Sequence, residues 1–226
     1  MAEYGVENEV KLYCEGGAFA YDGVNHERAM ERVQKVLRDV GIEFDDYRVR
    51  RFTDTYYSDP AGVIDSQNSV LRLRDEGERV TATVKKPYVH SGLGLSRREF
   101  QSELVKSDEG FNPLAMAAAL ARQYLDGVGP DLCPKVVDEV VRCECRIRSE
   151  VRRYKFCLDR FSYHDPVSGE VGPVNYEIEI ESIDQPIKDD QAMVRLIAVL
   201  EDRYLCEAQK VSKYARGKEW LESIGV

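Results

Sequence analysis

The sequence has no stretch approaching about 20 consecutive apolar residues, so nothing in it reads as a membrane span. Its opening, MAEYGVENEVKLYCEGG, lacks the basic and apolar regions of a secretory signal. Histidine is scarce (His26, His90, His164), and none of the six cysteines forms a C-x-x-C pair, which speaks against a zinc site. Cys14, Cys133, Cys143, Cys145, Cys157 and Cys206 therefore read as reduced thiols of a cytoplasmic protein. No repeat, linker or low-complexity tract divides the chain, and a single domain over residues 1–226 is expected. Positive charge is also in deficit: 32 Lys and Arg against 41 Asp and Glu leave a net −9. A chain that coats nucleic acid is normally basic, so neither nucleic acid nor a membrane is an expected partner.

What is present falls into two patterns. One has the 3.6-residue period of amphipathic helices, over 26–40, 113–125, 187–204 and 212–223. Pro113 in a first turn, with Gly41 and Gly127 after helix ends, supports these bounds. The other alternates with period two, over 7–12, 48–57, 70–74, 80–85, 95–104, 141–148, 154–159 and 176–181. Short turns such as Asp75-Glu76-Gly77-Glu78 join successive strands, which argues for an antiparallel sheet.

The alternating polar residues are mostly full charges, and they sort by strand. Glu7, Glu9 and Lys11 share one face of the first strand; Glu177, Glu179 and Glu181 share one face of the last. The middle strands carry Arg72 and Arg74, Lys85, Arg97 with Glu99, and Arg146 with Arg148. A charged outer face is routine for any single strand. Four amphipathic helices, however, need an apolar surface to cover, and that is the opposite face. The pattern points to an α+β fold: an eight-stranded antiparallel β-barrel, or tunnel, with a charged interior and helices packed outside. Lys11, Arg72, Arg74, Lys85, Arg97, Arg146 and Arg148 would suit a polyanion, because guanidinium forks match phosphate oxygens. The glutamates of the first and last strands would repel one another unless a hard divalent cation lay between them.

This order of motifs resembles the CYTH superfamily, the triphosphate tunnel metalloenzymes. Glu7-Asn8-Glu9-Val10-Lys11 matches its ExExK opening, and Asp54 to Pro60 is similar to its D-x-Y-Y-D-x-P segment. Leu71 to Arg74, Thr83-Val84-Lys85, Arg97-Arg98-Glu99, Arg146 with Asp159, Tyr176 to Glu181 and Ser212-Lys213-Tyr214 follow in the family's sequence. The resemblance implies that Glu7, Glu9, Glu177 and Glu179 hold Mg²⁺ or Mn²⁺, with Glu181 facing the same way and Glu99 and Asp159 in support. It implies that Lys11, Arg72, Arg74, Lys85, Arg97 and Arg146 hold phosphates, with Arg148 added by alternation. Lys213 would sit near the reacting end, and a glutamate of the first or last strand, with Glu7 and Glu9 foremost, would act as base on an attacking water.

The activity this implies is metal-dependent hydrolysis of a triphosphate, foremost inorganic tripolyphosphate to pyrophosphate and phosphate. Three rivals are an adenylate cyclase, a thiamine triphosphatase and a non-catalytic polyphosphate- or nucleotide-binding module. The stretch Gly172 to Tyr176 is a poor match to the glycine-aromatic element of the cyclase branch. Intact Glu7, Glu9, Glu177 and Glu179 speak against the binding module, since carboxylates weaken anion binding if no metal is used.

Overall fold

The computed structural model describes residues 3–14, 26–87, 89–91, 94–106, 109–182, 187 and 190–225. Ten strands form one antiparallel sheet: β1 (Glu3–Cys14), β2 (Glu43–Ser58), β3 (Val70–Asp75), β4 (Arg79–Lys85), β5 (Val89–Ser91), β6 (Gly94–Val105), β7 (Cys133–Arg148), β8 (Arg153–His164), β9 (Val171–Ser182) and β10 (Cys206–Ala208). The ring runs β1-β9-β8-β7-β2-β3-β4-β6 and closes where β6 pairs with β1, so eight strands make the barrel. These eight are the strands expected from period-two alternation. β5 and β10 are three-residue additions that cover edges left beside β6 and β1.

Side chains alternate across each strand, so the sequence pattern sorts directly into an outside and an inside. On the outside, Val10, Leu12, Ile178, Ile180, Phe156, Leu158, Cys143 and Ile147 are buried beneath two helices. Those helices, α1 (His26–Asp39) and α4 (Gln191–Tyr204), present Met30, Val33, Leu37 and Met193, Leu196, Leu200 at helical spacing. Each such full burial contributes about 1.5–3 kcal/mol. A second outer cluster packs α3 (Pro113–Tyr124) and the single-turn α2 (Val63–Ser66) on Leu71, Leu73, Val80, Ala82 and Val84. α4 starts later than its periodicity suggests because Asp190 caps it, accepting from Ala192 N at 3.0 Å.

The last helix, α5 (Lys213–Ser223), behaves differently. Its Tyr214 and Leu221 pack with Phe52, Tyr56, Val136, Val140, Phe161 and Tyr163, apolar residues on the same strand faces as the charges. It thus plugs one end of the barrel. Gly217 permits this approach: a Cβ there would lie 2.7 Å from Val136 Cγ1 and 3.0 Å from Tyr163 Cδ1.

The expectation of six reduced thiols is corrected. Cys14 and Cys206, 192 residues apart in sequence, face each other across the β1–β10 pairing and form a disulfide, with Cα atoms 4.3 Å apart. No helix among the described residues is long and apolar enough to cross a membrane.

Candidate active site

The charged interior is a cavity of about 130 Å³ whose lining includes Lys11, Asp54, Arg72, Arg74, Lys85, Arg97, Glu99, Arg142, Glu179 and Lys213. Its position follows from strand register. β1 pairs with β9 so that Lys11 faces Glu179 and Glu9 faces Glu181, and β8 pairs with β9 so that Asp159 faces Glu177. Residues opposite each other in a ladder point to the same side.

Lys213 enters from the plug end, set in the first turn of α5 by Ser212, whose hydroxyl accepts from Ala215 N at 3.2 Å. Its ammonium donates to Asp159 Oδ2 at 2.9 Å, to Glu179 Oε1 at 3.2 Å, and to Glu177. Arg142 donates to both Asp159 oxygens at 2.6 Å and to Glu179 Oε2 at 2.5 Å. Lys11 lies 3.1 Å from Glu179 and 3.2 Å from Glu9, and Arg97 lies 3.4 Å from Glu9. Arg216 binds the other oxygen of Glu177.

Lys213, Asp159, Glu177, Lys11, Glu9, Arg97 and Arg142 are buried and Glu179 is partly so, which works against their charged forms, but their partners decide otherwise. Burial works against the Lys213 charge, yet Asp159, Glu177 and Glu179 outweigh it and hold the ammonium well above its ordinary pKa. Burial likewise raises Glu179, but Lys213, Lys11 and Arg142 pull it well below the usual carboxylate range. Asp159 is lowered against its burial by Arg142 and Lys213.

One oxygen each from Asp159, Glu177 and Glu179 lie within 4.8 Å of one another. Three carboxylates at this spacing are a hard donor set that fits an Mg²⁺-like ion. The Lys213 ammonium held among them shows that the cluster demands positive charge.

The opposite wall is simpler. Arg74 donates to both oxygens of Asp54 at 2.7 Å, and Arg72 reaches the same carboxylate at 3.4 Å. Burial opposes ionisation of Asp54, but Arg72 and Arg74 hold its pKa far below normal. Asp138 faces Asp54 across the β2–β7 pairing and is completely buried. Burial first, and Asp54 second, push its carboxyl well above the usual range.

Of the residues expected from sequence, Lys11, Arg72, Arg74, Lys85, Arg97, Glu9, Glu99, Asp159, Glu177, Glu179 and Lys213 come together around this interior. Glu7 faces Arg97 in the β1–β6 pairing, and its side chain lies outside the described residues. Glu181 also lines this interior, 3.5 Å from Lys155, but is not one of the three carboxylates that lie within 4.8 Å of one another. Arg146 and Arg148 are a correction. They lie on the expected side of β7 but beyond the barrel interior, 66% and 57% exposed, paired with Asp46 and Glu43. Arg142 takes the place assigned to Arg146, because the β7–β8 turn pairs Asp159 with Arg142 and Lys155 with Arg146. Counting back from that turn would have identified it. Asp54 opens the D-x-Y-Y-D-x-P segment, but Asp138 has no such local signal, and only the β2–β7 register brings the two face to face.

With this geometry in place, the family can be stated. The model of the CYTH domain matches residues 30–215. The chain belongs to the CYTH domain family. Among curated proteins none matches it. Three solved structures share the fold over nearly their whole lengths. A Bacillus halodurans protein, solved as a candidate adenylate cyclase, is 20% identical with a TM-score of 0.57, covering 94% of this chain and 97% of its own. Hippeastrum HpAC1, an adenylyl cyclase candidate reported to have a dominant triphosphatase activity, is 18% identical with a TM-score of 0.61, covering 95% and 96%. PH1819 from Pyrococcus horikoshii is 17% identical with a TM-score of 0.52, covering 96% and 99%. At these identities the likeness establishes the CYTH barrel and nothing finer.

Proposed function

We propose that this CYTH protein is a divalent-metal-dependent triphosphatase whose preferred substrate is inorganic tripolyphosphate, cleaved to pyrophosphate and phosphate. The observation that carries the reading is the acidic cluster of Asp159, Glu177 and Glu179 facing a wall of buried cations inside one closed barrel. A purely anion-binding pocket would gain nothing from three clustered carboxylates. The triphosphatase activity reported for the Hippeastrum protein is in keeping with this.

Asp159, Glu177 and Glu179 would hold Mg²⁺ or Mn²⁺, with Glu7 and Glu9 the further candidates on β1. The ion, when bound, supplies positive charge to phosphate oxygens. The chain's own residues do the rest. Lys11, Arg72, Arg74, Lys85, Arg97 and Arg142 bind the phosphates and fix the chain in line, and their charge favours the transition state as it spreads over the non-bridging oxygens. Glu9, buried between Lys11 and Arg97, accepts the proton of the attacking water. Lys213 neutralises the phosphate at the plugged end, and α5 keeps bulk water from that side.

The test is phosphate release from tripolyphosphate with Mg²⁺, with Mn²⁺ and with EDTA, beside ATP with a cyclic AMP readout. Metal-dependent release without cyclic AMP is expected. Cyclic AMP with little tripolyphosphate cleavage would replace this reading with a cyclase. Glu9→Gln should lower turnover greatly and tripolyphosphate binding less; full activity in that variant would remove Glu9 from the mechanism.

A further inference from the structure

Arg146 and Arg148, displaced from the interior, belong to a cationic surface that begins where the tunnel ends. We infer that this surface holds the portion of a linear inorganic polyphosphate that extends past the phosphates in the tunnel. The inference deepens the triphosphatase reading and rests on it for the seat of the chain end.

Continuity is the first ground. Lys155 lines the tunnel and also an outer groove of about 390 Å³ bounded by Arg48, Arg50, Arg146 and Arg153. Arg146 and Arg153 in turn line a second groove of about 680 Å³ that reaches Arg148. Strand β7 carries Arg142, Arg146 and Arg148 on one side, a path of about 20 Å from the interior to its outer end.

Charge is the second ground. The two grooves are lined by seven Arg or Lys side chains and four Asp or Glu, on a chain whose net charge is −9. Buried Glu144, between Arg142 and Arg146 on the same side of β7, holds Arg48 at 2.5 Å and Arg50 at 3.3 Å, whereas the carboxylates farther out do not lock their cations in place. Arg146 and Asp46 are 66% and 60% exposed in their pair, and Arg148 and Glu43 are 57% and 71% exposed in theirs. Such exposed pairs are weak, so a guanidinium can turn from a carboxylate to a phosphate at little cost.

The occupant follows from what the grooves lack. Nucleic acid is gripped by phosphate contacts together with base stacking on aromatic rings. Among the described residues, the two aromatic side chains of the grooves are already engaged. Phe44 lies beneath Arg38, 5.6 Å from the guanidinium carbon, and Tyr154 is 1% exposed with its hydroxyl donated to Asp190 at 2.7 Å. A lining of guanidinium forks without a stacking platform suits a chain of bare phosphates.

The experiment compares binding of tripolyphosphate and of long-chain inorganic polyphosphate in EDTA, where nothing turns over. The proteins are the wild type and the exposed double variant Arg48→Gln/Arg153→Gln, its fold checked by thermal melting. Long-chain affinity should fall by about tenfold in the variant, with tripolyphosphate affinity held within about twofold. The wild-type preference for the long chain should also shrink steeply with added salt. The inference is overturned if the variant keeps its long-chain affinity, or loses both ligands alike. It is equally overturned if an oligonucleotide with a 5′-triphosphate binds more tightly than polyphosphate and shows the same loss. Absence of phosphate release from tripolyphosphate would sink the triphosphatase reading and leave this binding comparison intact.

Discussion

The two walls of the tunnel use buried charge in opposite ways. On the β2–β3 wall one carboxylate, Asp54, meets the fork of Arg74 in bidentate fashion, and burial together with Asp54 pushes its facing neighbour Asp138 toward the neutral form. Arg74 and Asp54 there form a closed two-bond pair, while Arg72, at 3.4 Å from the same carboxylate, leaves positive charge over for a phosphate. On the β1–β8–β9 wall, Lys213 is shared among three carboxylates, Arg142 between two, and Lys11 between two. Matched charge holds strands together; shared charge stays available for exchange, since a phosphate can take the cation and a metal can take the carboxylates.

If that contrast is right, breaking the matched wall costs stability. Asp54→Asn leaves Arg72 and Arg74 buried without their counter-ion and should destabilise the protein by about 3–5 kcal/mol in urea unfolding. The Asp54 contribution is present at neutral pH and is lost on acidification below 3.8, because its folded pKa lies under that value. A loss under about 1 kcal/mol would place Asp54 outside the load the barrel depends on.

On the shared wall the main loss should be in turnover. Lys213→Ala should lower tripolyphosphate turnover by about 10²–10³-fold. It should also destabilise the protein in EDTA, with Mg²⁺ restoring part of the melting temperature, since three carboxylates then lack their ammonium. If Mg²⁺ gave the variant no stabilisation, the cluster would not be a metal site.

The plug joins the two walls. Gly217→Ala would press a Cβ against Val136 and Tyr163 and push α5 outward, costing about 1–3 kcal/mol. Because Lys213 rides on the same helix, turnover should fall with it; unchanged turnover would detach the plug from the chemistry.

The subtlest change is Asp138→Asn. Above pH 3.8 the folded protein keeps a proton on Asp138 that the unfolded chain releases, so this group makes stability fall as pH rises. The variant lacks that titration and should gain on the wild type between pH 4 and neutrality, as read from paired urea titrations. A constant difference across that range would mean that Asp138 is ionised in the fold.

The legibility of these features in sequence is uneven for a physical reason. All eight barrel strands, the four long helices and the identity of the charged face could be read from periodicity, because side-chain direction repeats every two residues in a strand and every 3.6 in a helix. That Lys213 belongs to the site came from its motif, and its burial by the plug was not visible in α5 alone, where a lysine at a helix start is ordinarily solvated.

Local alternation thus determined which residues of each strand turn inward, and it did so for Arg142, Arg146 and Arg148 alike. Only the tertiary structure decided how deep each one sits. It grouped Glu177 and Glu179, without Glu181, beside Asp159; it set Arg142 in the tunnel and Arg146 outside; it set Asp54 against Asp138; and it brought Cys14 to Cys206. Direction is a property of the strand itself, whereas depth depends on the register between strands, which the turns and the closing β1–β6 seam set together.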